Sequence, residues 1–323
     1  MEQENQLRYK LFVLLGILGV SYSSIFIRFT DAPAIVVVFL RMAFAAVPLA
    51  VLVLSRSELR EELKDLGIRP ILGALLSGVF LAMHLTAYVE SVHLTTITSA
   101  TLLVDTEVLF VALASVLLFR EKISRPGMIG ILLALAGSVM LSAGDLLLGQ
   151  AKGLIVMENA GILGVDEAIE LAEEAALSGM AGTHIRGDLF ALLGAVFLAV
   201  YTLLGSRLRK SFSTISYTFL AYAGASVVLL CACLVTSVPL TGWSTDDYFY
   251  SFLMTVFCTY LGHSIFNWGL RYLPAPFIST CRLGEPVVAT ILAVVIFGEV
   301  PGPHQIIGGV IVLAGLYIYC MRD

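Results

Sequence analysis

Apolar runs of nearly uniform length alternate with short polar connectors along almost the whole chain. Each run is about 20 residues long, which is the length that an α-helix needs to cross the hydrocarbon core of a bilayer. Because lipid offers no hydrogen-bond partner to the backbone, these runs are predicted to be helices. The ten predicted spans cover residues 11–29, 34–54, 70–90, 95–119, 126–143, 188–205, 214–236, 249–270, 274–297 and 304–321.

The composition narrows the class of protein. Of the 323 residues, 59% are hydrophobic and 13% are charged, and the mean hydropathy is +0.94. A soluble domain carries about twice that charged fraction, so the composition excludes a soluble enzyme and a disordered chain. Without an excess of basic residues, no nucleic-acid partner is expected. The expected partners are the lipid bilayer and a small-molecule substrate, while the oligomeric state stays open.

The positive charges set the orientation of the predicted spans. If the N-terminus is cytoplasmic, fourteen Lys and Arg residues fall on the cytoplasmic side, and only Lys152 and Arg186 fall outside. Such a bias is typical of helical proteins of the cell membrane. The opening sequence MEQENQLRYK leads into a long span without a small-residue cleavage site, so we expect a retained first helix. Both termini are therefore predicted to be cytoplasmic in a multi-pass protein of the cell membrane.

The two halves of the chain repeat each other at a constant offset of 178 residues. Glu107 corresponds to Glu285 in this repeat. Other matched positions are Gly130 with Gly308 and Gly137 with Gly315. Because each half has five spans, an odd number, the second half enters the membrane from the opposite side. The predicted fold is therefore an all-α integral membrane protein with ten transmembrane helices, built as inverted five-helix repeats over residues 1–144 and 187–323.

An acidic segment, residues 145–186, interrupts the repeat. Residues 144–187 hold seven acids and two bases, so this stretch carries the net charge of −5 while the rest of the chain balances. The sequence DEAIELAEEAAL at 166–177 predicts a short amphipathic helix. Charge counting places the segment outside the cell. It is either a solvated loop with a helix on the surface, or a lid or partner-docking element.

Several short motifs stand out within the two halves. They are SSIFIR at 23–28, AP at 32–33, FLR at 39–41, LGEPV at 283–287 and IFGE at 296–299. Together with the paired halves, they resemble the drug/metabolite transporter superfamily, specifically its ten-helix type built from two EamA domains. The resemblance implies a basket of ten helices around a central cavity. It also implies alternating-access movement of small metabolites, often outward, but it leaves the cargo open.

The first half departs from the pattern that the ninth span shows. Val108 replaces the proline that follows the glutamate in the second half, and Arg120 replaces the glycine before Glu121. We therefore expect the fourth span to lack the helix irregularity associated with Pro286.

Carboxylates inside the spans are candidates for function, because an ionisable group at the bilayer centre costs about 2.5–3.5 kcal/mol. Glu107 and Glu285 lie in the middle of the fourth and ninth spans. They are predicted to line a cavity and bind an ammonium group or carry a proton, or else to be structural carboxylates. Asp105 lies about 200° around the helix from Glu107, so only one of the two is expected to face the cavity.

Two arginines inside the spans are the matching basic candidates. Arg282 lies three residues before Glu285, so the two are expected to form an internal pair. Arg41 is expected either to pair with an internal carboxylate or to bind a substrate carboxylate. Opposite charges inside the bundle suggest a zwitterionic cargo such as an amino acid, unless these charges pair with each other.

Polar and aromatic residues complete the predicted binding site. Ser99 and Thr101 belong to a hydroxyl-rich start of the fourth span that suggests a wet wall, and Tyr88 and Asn267 are candidate lining residues. His263 is either a proton relay or a histidine whose hydrogen bonds are satisfied in the core.

Two functions other than transport remain open at this stage. A sensor or assembly protein would use residues 145–186 as a partner surface. An intramembrane enzyme is the weaker alternative, because the sequence has no nucleophile elbow, zinc motif or phosphate loop. No catalytic residue, cofactor or metal is therefore expected, and the five cysteines, all within apolar spans, are expected to pack as small apolar residues.

Overall fold

The computed structural model describes residues 2–95, 97–120, 123–140, 180–297 and 302–322. Within these ranges the chain forms helices and turns without any strand. The amphipathic helix predicted at 166–177 and most of the acidic segment around it lie outside the described residues.

The helices of the first half are α1 (Glu2–Val20), α2 (Ser23–Ile27), α3 (Ala34–Ser55), α4 (Ser57–Asp65), α5 (Ile68–Leu94), α6 (Ile97–Asp105), α7 (Glu107–Phe119) and α8 (Arg125–Met140). Those of the second half are α9 (Met180–Leu208), α10 (Thr214–Val235), α11 (Thr245–Met254), a π-helix (Thr255–His263), α12 (Ser264–Gly269), α13 (Ala275–Arg282), α14 (Glu285–Phe297) and α15 (Pro303–Arg322).

In the described part of the chain, eight helical segments of 19 to 27 residues are long and apolar enough to cross a membrane. They match the predicted spans one to four, six to eight and ten. The described part of the fifth span is α8, which covers Arg125–Met140, and the ninth span is divided into α13 and α14. Large apolar side chains such as Leu117 and Val295 remain exposed on the outer helix faces. The protein is therefore a helical membrane protein with several spans.

The fourth and ninth spans are both interrupted partway along their length. A single turn residue, Thr106, separates α6 from α7, and its Oγ1 donates to the carbonyl oxygen of Leu103 at 2.6 Å. At the equivalent place, Leu283 and Gly284 separate α13 from α14. The expectation of a regular fourth span is therefore wrong. A threonine side chain that bonds back to its own helix replaces the proline as the local irregularity.

The last helices of the two halves, α8 and α15, cross through matched glycines. A side-chain carbon at Gly130 would lie 2.8 Å from the carbonyl oxygen of Gly315, and one at Gly137 would lie 2.8 Å from that of Gly308. The earlier glycine of each helix meets the later glycine of the other, so the two helices run antiparallel. Small residues at such a crossing allow close backbone approach.

The first helix of each half packs against the third span of the other half. A side-chain carbon at Gly19 in α1 would lie 2.6 Å from the backbone nitrogen of Gly262 in the π-helix, and Gly194 in α9 lies beside His84 in α5. The second spans, α3 and α10, pack against each other. Because the halves interlock in this way, the interior receives polar side chains from both.

Candidate functional site

A narrow cavity lies in the middle of the bundle, where the two interrupted spans meet. Its free volume of about 40 Å³ would hold a few water molecules, since one water needs about 10–15 Å³. Both halves contribute to its wall. The predicted site residues that line it are Arg41, Tyr88, Thr101, Asp105, Glu107, His263, Arg282 and Glu285.

The helix interruptions place the two glutamates at the cavity. Glu107 is the first residue of α7 and Glu285 is the first residue of α14. The start of a helix carries a partial positive charge and unpaired backbone N–H groups, so it favours a carboxylate. Half-helix starts at the membrane midplane are therefore a suitable place for an acidic side chain.

Glu107 is buried and held by three donors. Its Oε1 accepts hydrogen bonds from Arg282 Nη1 at 3.0 Å, Thr202 Oγ1 at 3.0 Å and Ser279 Oγ at 2.8 Å. Arg282 thus pairs with Glu107, and the expected pair with Glu285 is wrong. The interruption of the ninth span lies between Arg282 and Glu285, so the two no longer follow the spacing of one continuous helix. The guanidinium of Arg282 also lies over the ring of Phe266, 4.9 Å from its centroid.

Asp105 also lines the cavity, beside Glu107. Its Oδ2 accepts a hydrogen bond from Ser138 Oγ in α8 at 2.9 Å. The expectation that only one of these two carboxylates faces the cavity is wrong. That expectation assumed a continuous helix, whereas the helix is interrupted at Thr106, between the two carboxylates.

Glu285, Arg41 and Asp105 are the cavity charges without a charged partner at hydrogen-bond distance among the described residues, and of the three only Asp105 has a side-chain donor on its carboxylate. No donor side chain of the described chain bonds the carboxylate of Glu285, a half-buried residue. Arg41 is 1% exposed, and its Nε donates to Thr259 Oγ1 at 2.8 Å. Its Nη1 is buried and makes no hydrogen bond within the described structure. Of the two expected roles of Arg41, a direct pair with an internal carboxylate is therefore not observed.

Tyr88 and Thr101 form a polar edge of the cavity, with their hydroxyl oxygens 3.3 Å apart. His84 and His263 lie across from each other, with ring centroids 6.3 Å apart. His84 Nδ1 is 2.9 Å from the carbonyl oxygen of Gly194, so this histidine has a structural partner. His263 Nδ1 is buried and has no hydrogen-bond partner in the described ranges.

Two predicted site residues do not line the cavity. Ser99 Oγ donates to Asp188 Oδ1 at 2.7 Å and so connects α6 to α9. Asn267 Nδ2 donates to the hydroxyl of Tyr201 at 2.6 Å. Its backbone carbonyl accepts from Arg209 Nε at 2.8 Å. In both cases the polar side chain joins two helices instead of facing the cavity.

The sequence prediction missed four polar residues that hold the charged groups. These residues are Ser138, Thr202, Thr259 and Ser279. A single hydroxyl in an apolar helix usually bonds its own backbone, so it gives no signal by itself. For Ser279 the repeat offers such a signal. It corresponds to Thr101, a predicted site residue of the first half, and so could have been predicted by the 178-residue offset.

Comparison with known proteins gives the identity of the fold. The model of the EamA-like transporter family matches the chain twice, over residues 7–143 and 185–321. The chain belongs to the EamA-like transporter family. This confirms the resemblance to the drug/metabolite transporter superfamily.

Curated relatives of this EamA-family chain are also transporters by name. An uncharacterized transporter of Clostridium kluyveri is 25% identical over 87% of this chain and 81% of its own length. One from Bacillus subtilis is 24% identical over 96% of this chain and 87% of its own length. A solved crystal structure with 16% sequence identity matches at a TM-score of 0.71 over 98% of both chains. The EamA-family protein is therefore a multi-pass membrane transporter of the cell membrane.

Proposed function

We propose that this transporter exports small zwitterionic metabolites, such as amino acids or related amphipathic solutes, by alternating access around the midplane cavity. The observation that carries the proposal is the pair of unpartnered opposite charges, Arg41 Nη1 and the carboxylate of Glu285, in one cavity. Uncompensated charges inside a bundle are costly. An amino acid would bring its carboxylate to Arg41 and its ammonium group to Glu285, and so would compensate both.

The proposal includes ten spans in two inverted five-helix repeats with both termini in the cytoplasm. The constant offset of 178 residues supports this topology. The exchanged glycine contacts of α8 and α15 support it further, because the offset converts the Gly130–Gly315 contact into the Gly308–Gly137 contact. The bias of positive charges supports the orientation. The acidic segment 145–186 lies outside the cell in this topology.

Alternating access requires a closure on each side of the cavity. In the proposed topology, the outer closure is formed by Asp188, whose Oδ1 accepts hydrogen bonds from Thr95 and Ser99 at 3.1 and 2.7 Å. The inner closure is the cluster of Glu107, Arg282, Thr202 and Ser279. The present cavity is too small for an amino acid, so one closure opens when the cargo binds or leaves.

A proton on Glu285 would couple export to the proton gradient. The carboxylate that binds the ammonium group of the cargo loses its attraction when it is protonated. A proton that reaches Glu285 from outside therefore releases the cargo outward. Glu107 is unsuited to this role, because Arg282 holds it at 3.0 Å. Export is the direction that the resemblance to the superfamily implies.

Transport by purified protein in liposomes tests the proposal, with a panel of radiolabelled L-amino acids as probes. A thermal-shift screen selects the probes, since a ligand of the folded state raises the apparent stability. We expect Glu285→Gln to lower transport at least about tenfold, because a hydrogen bond to a charged group contributes about 1.5–3 kcal/mol. The pH dependence of the rate should disappear as well.

Glu90→Gln is the matched control, because Glu90 lies in α5 but does not line the cavity. It should transport as the wild type does. Wild-type rates with an unchanged pH profile in Glu285→Gln would exclude Glu285 from cargo binding and from proton coupling.

A further inference from the structure

A second, wider pocket opens at the end of the molecule that the proposed topology places in the cytoplasm. Its free volume is about 500 Å³. The wall combines the ends of α7 and α9 with the connector before α13. The lining residues with functional groups are Ser206, Arg207, Lys210, Arg271 and Tyr272.

The three basic residues of this pocket are all exposed, and they come from two segments: Arg207 and Lys210 lie at the end of α9, and Arg271 lies in the connector before α13. Arg207 is oriented by Phe119, because its guanidinium carbon lies 3.9 Å from the ring centroid. Within the described structure, none of Arg207, Lys210 and Arg271 makes an ion pair. Positive charge is common on the cytoplasmic side of membrane proteins. This general bias does not explain why three cations line the same concave pocket.

A fourth cation, Arg209, lies beside these three residues but is held by the protein itself. Arg209 is buried, and its guanidinium donates to the carbonyl oxygens of Asn267 and Phe212 and to Thr214 Oγ1. Its pKa is lowered to about 10 by burial and by the charge of Arg271. Arg209 is thus a structural residue, while the exposed cations beside it are available to a ligand.

The pocket lies directly next to the inner closure of the cavity. Ser206 follows Thr202 by four residues on α9, and Ala275 precedes Ser279 by four residues on α13, so each pair lies on one helix face. Thr202 and Ser279 bind Glu107, whereas Ser206 and Ala275 line the pocket. The Glu107 cluster therefore separates the basic pocket from the central cavity by about one helical turn.

We propose that Arg207, Lys210 and Arg271 form a cytoplasmic vestibule that binds an anionic group, a carboxylate or a phosphate, of the solute before it passes the Glu107–Arg282 cluster. This inference rests on the proposed function and narrows its substrate class to solutes with such a group. A concave site lined by charges of one sign raises the local concentration of oppositely charged solutes. A phosphate-bearing lipid headgroup has the same chemistry, so the test must distinguish the two sources.

The electrostatic part of the test requires no knowledge of the cargo. The variant Ser206→Cys is reconstituted in vesicles of phosphatidylcholine. Its labelling rate is measured with two methanethiosulfonate reagents of similar size, the anionic ethylsulfonate and the cationic ethyltrimethylammonium. Labelling of wild-type protein is subtracted to correct for the native cysteines. The measured quantity is the ratio of the anionic to the cationic labelling rate. We expect this ratio to be on the order of tenfold higher for Ser206→Cys than for a free thiol in solution. Adding Lys210→Gln and Arg271→Gln together should remove this preference.

Arg60→Gln with Lys64→Gln is the matched control, because it removes the same charge from exposed positions of α4 on the same side. This control should keep the preference for the anionic reagent. Equal rates for both reagents in Ser206→Cys would overturn the vestibule, whether or not the protein transports amino acids.

Transport and lipid composition then decide which molecule uses the site. For an amino acid that the wild type transports, Lys210→Gln with Arg271→Gln should raise KM several-fold and leave kcat nearly unchanged. Adding phosphatidylglycerol to the vesicles makes their surface negative and slows the anionic reagent everywhere, so Glu58→Cys, an exposed position on the same side, is the reference. Phosphatidylglycerol should slow labelling of Ser206→Cys no more than it slows labelling of Glu58→Cys. An unchanged KM, or labelling of Ser206→Cys that phosphatidylglycerol suppresses beyond this reference, would overturn the solute site in favour of a lipid headgroup. If no amino acid is transported at all, the proposed function fails even where the electrostatic preference is found.

Discussion

At the scale of single residues, the two repeat-related glutamates have different surroundings. Glu107 has an arginine and two hydroxyl donors, whereas Glu285 has no donor side chain among the described residues. The difference follows from the sequence, because Arg282 corresponds to Val104 in the first half. One arginine therefore breaks the symmetry of the cavity. It pairs with one glutamate and leaves the other without a charged partner among the described residues.

Arg282→Met should destabilise the protein by about 3–5 kcal/mol, because it leaves the buried carboxylate of Glu107 without its cation. Unfolding in detergent, followed by helix content against denaturant, measures the change. The double variant Glu107→Gln with Arg282→Met should recover a large part of the loss, since no buried charge is left unpaired. If the single and double variants unfold at the same denaturant concentration, removing the charge of Glu107 recovers nothing, and Glu107 is not the residue that Arg282 compensates.

At the scale of helices, breaks within the spans position the side chains of the cavity, and contacts between helix ends close it off. The breaks in the fourth and ninth spans bring carboxylates to half-helix starts. The nine-residue π-helix lies between α11 and α12 and presents Thr259 and His263 to the site. Such segments frequently occur at functional sites. At the end that the proposed topology places outside, Asp188 joins α9 to the start of the fourth span.

Asp188→Ala should open the outer side, because it removes the hydrogen bonds from Thr95 and Ser99 to a charged acceptor. The native Cys258 lines the cavity and serves as the probe. We expect a small membrane-impermeant thiol reagent, added from outside, to label Cys258 about tenfold faster than in the wild type. This factor corresponds to a change of about 1.4 kcal/mol in the free energy of opening the outer side. Mass spectrometry of the Cys258 peptide provides the rate. Asp246→Ala, at an exposed acid near the same end, should leave the rate unchanged, and an equal rate in Asp188→Ala would rule out the outer closure.

The helices could be predicted from the sequence better than their interruptions and contacts. The positions of the eight spans are predictable from the long apolar runs, because a chain segment in lipid must form a helix to satisfy its backbone hydrogen bonds. The break at Thr106 could not be predicted, because neither glycine nor proline marks it. Arg282 was assigned to Glu285 because spacing along one helix is visible in a sequence, whereas the contact of Arg282 with Glu107 depends on how two halves pack. The charged members of the cavity were nevertheless predictable, since a charge within a span rarely lacks a function.

At the scale of the whole molecule, the interlocking of the halves is the feature from which the other proposals follow. The first helix of each half packs on the third span of the other, and α8 crosses α15 through exchanged glycines. An interior shared in this way can open to either side by a movement of one half against the other. The family model matches the chain twice, which agrees with a duplicated unit. The central claim is that the two units have opposite orientations in the membrane.

Cysteine labelling at one repeat-related pair of positions tests this claim most directly. Glu58, after the second span of the first half, corresponds to Thr236, after the second span of the second half, and both are exposed. In intact cells, a membrane-impermeant maleimide should label Thr236→Cys above the wild-type background and should label Glu58→Cys only after lysis. Labelling of both positions in intact cells, or of neither, would contradict the inverted arrangement of the two halves.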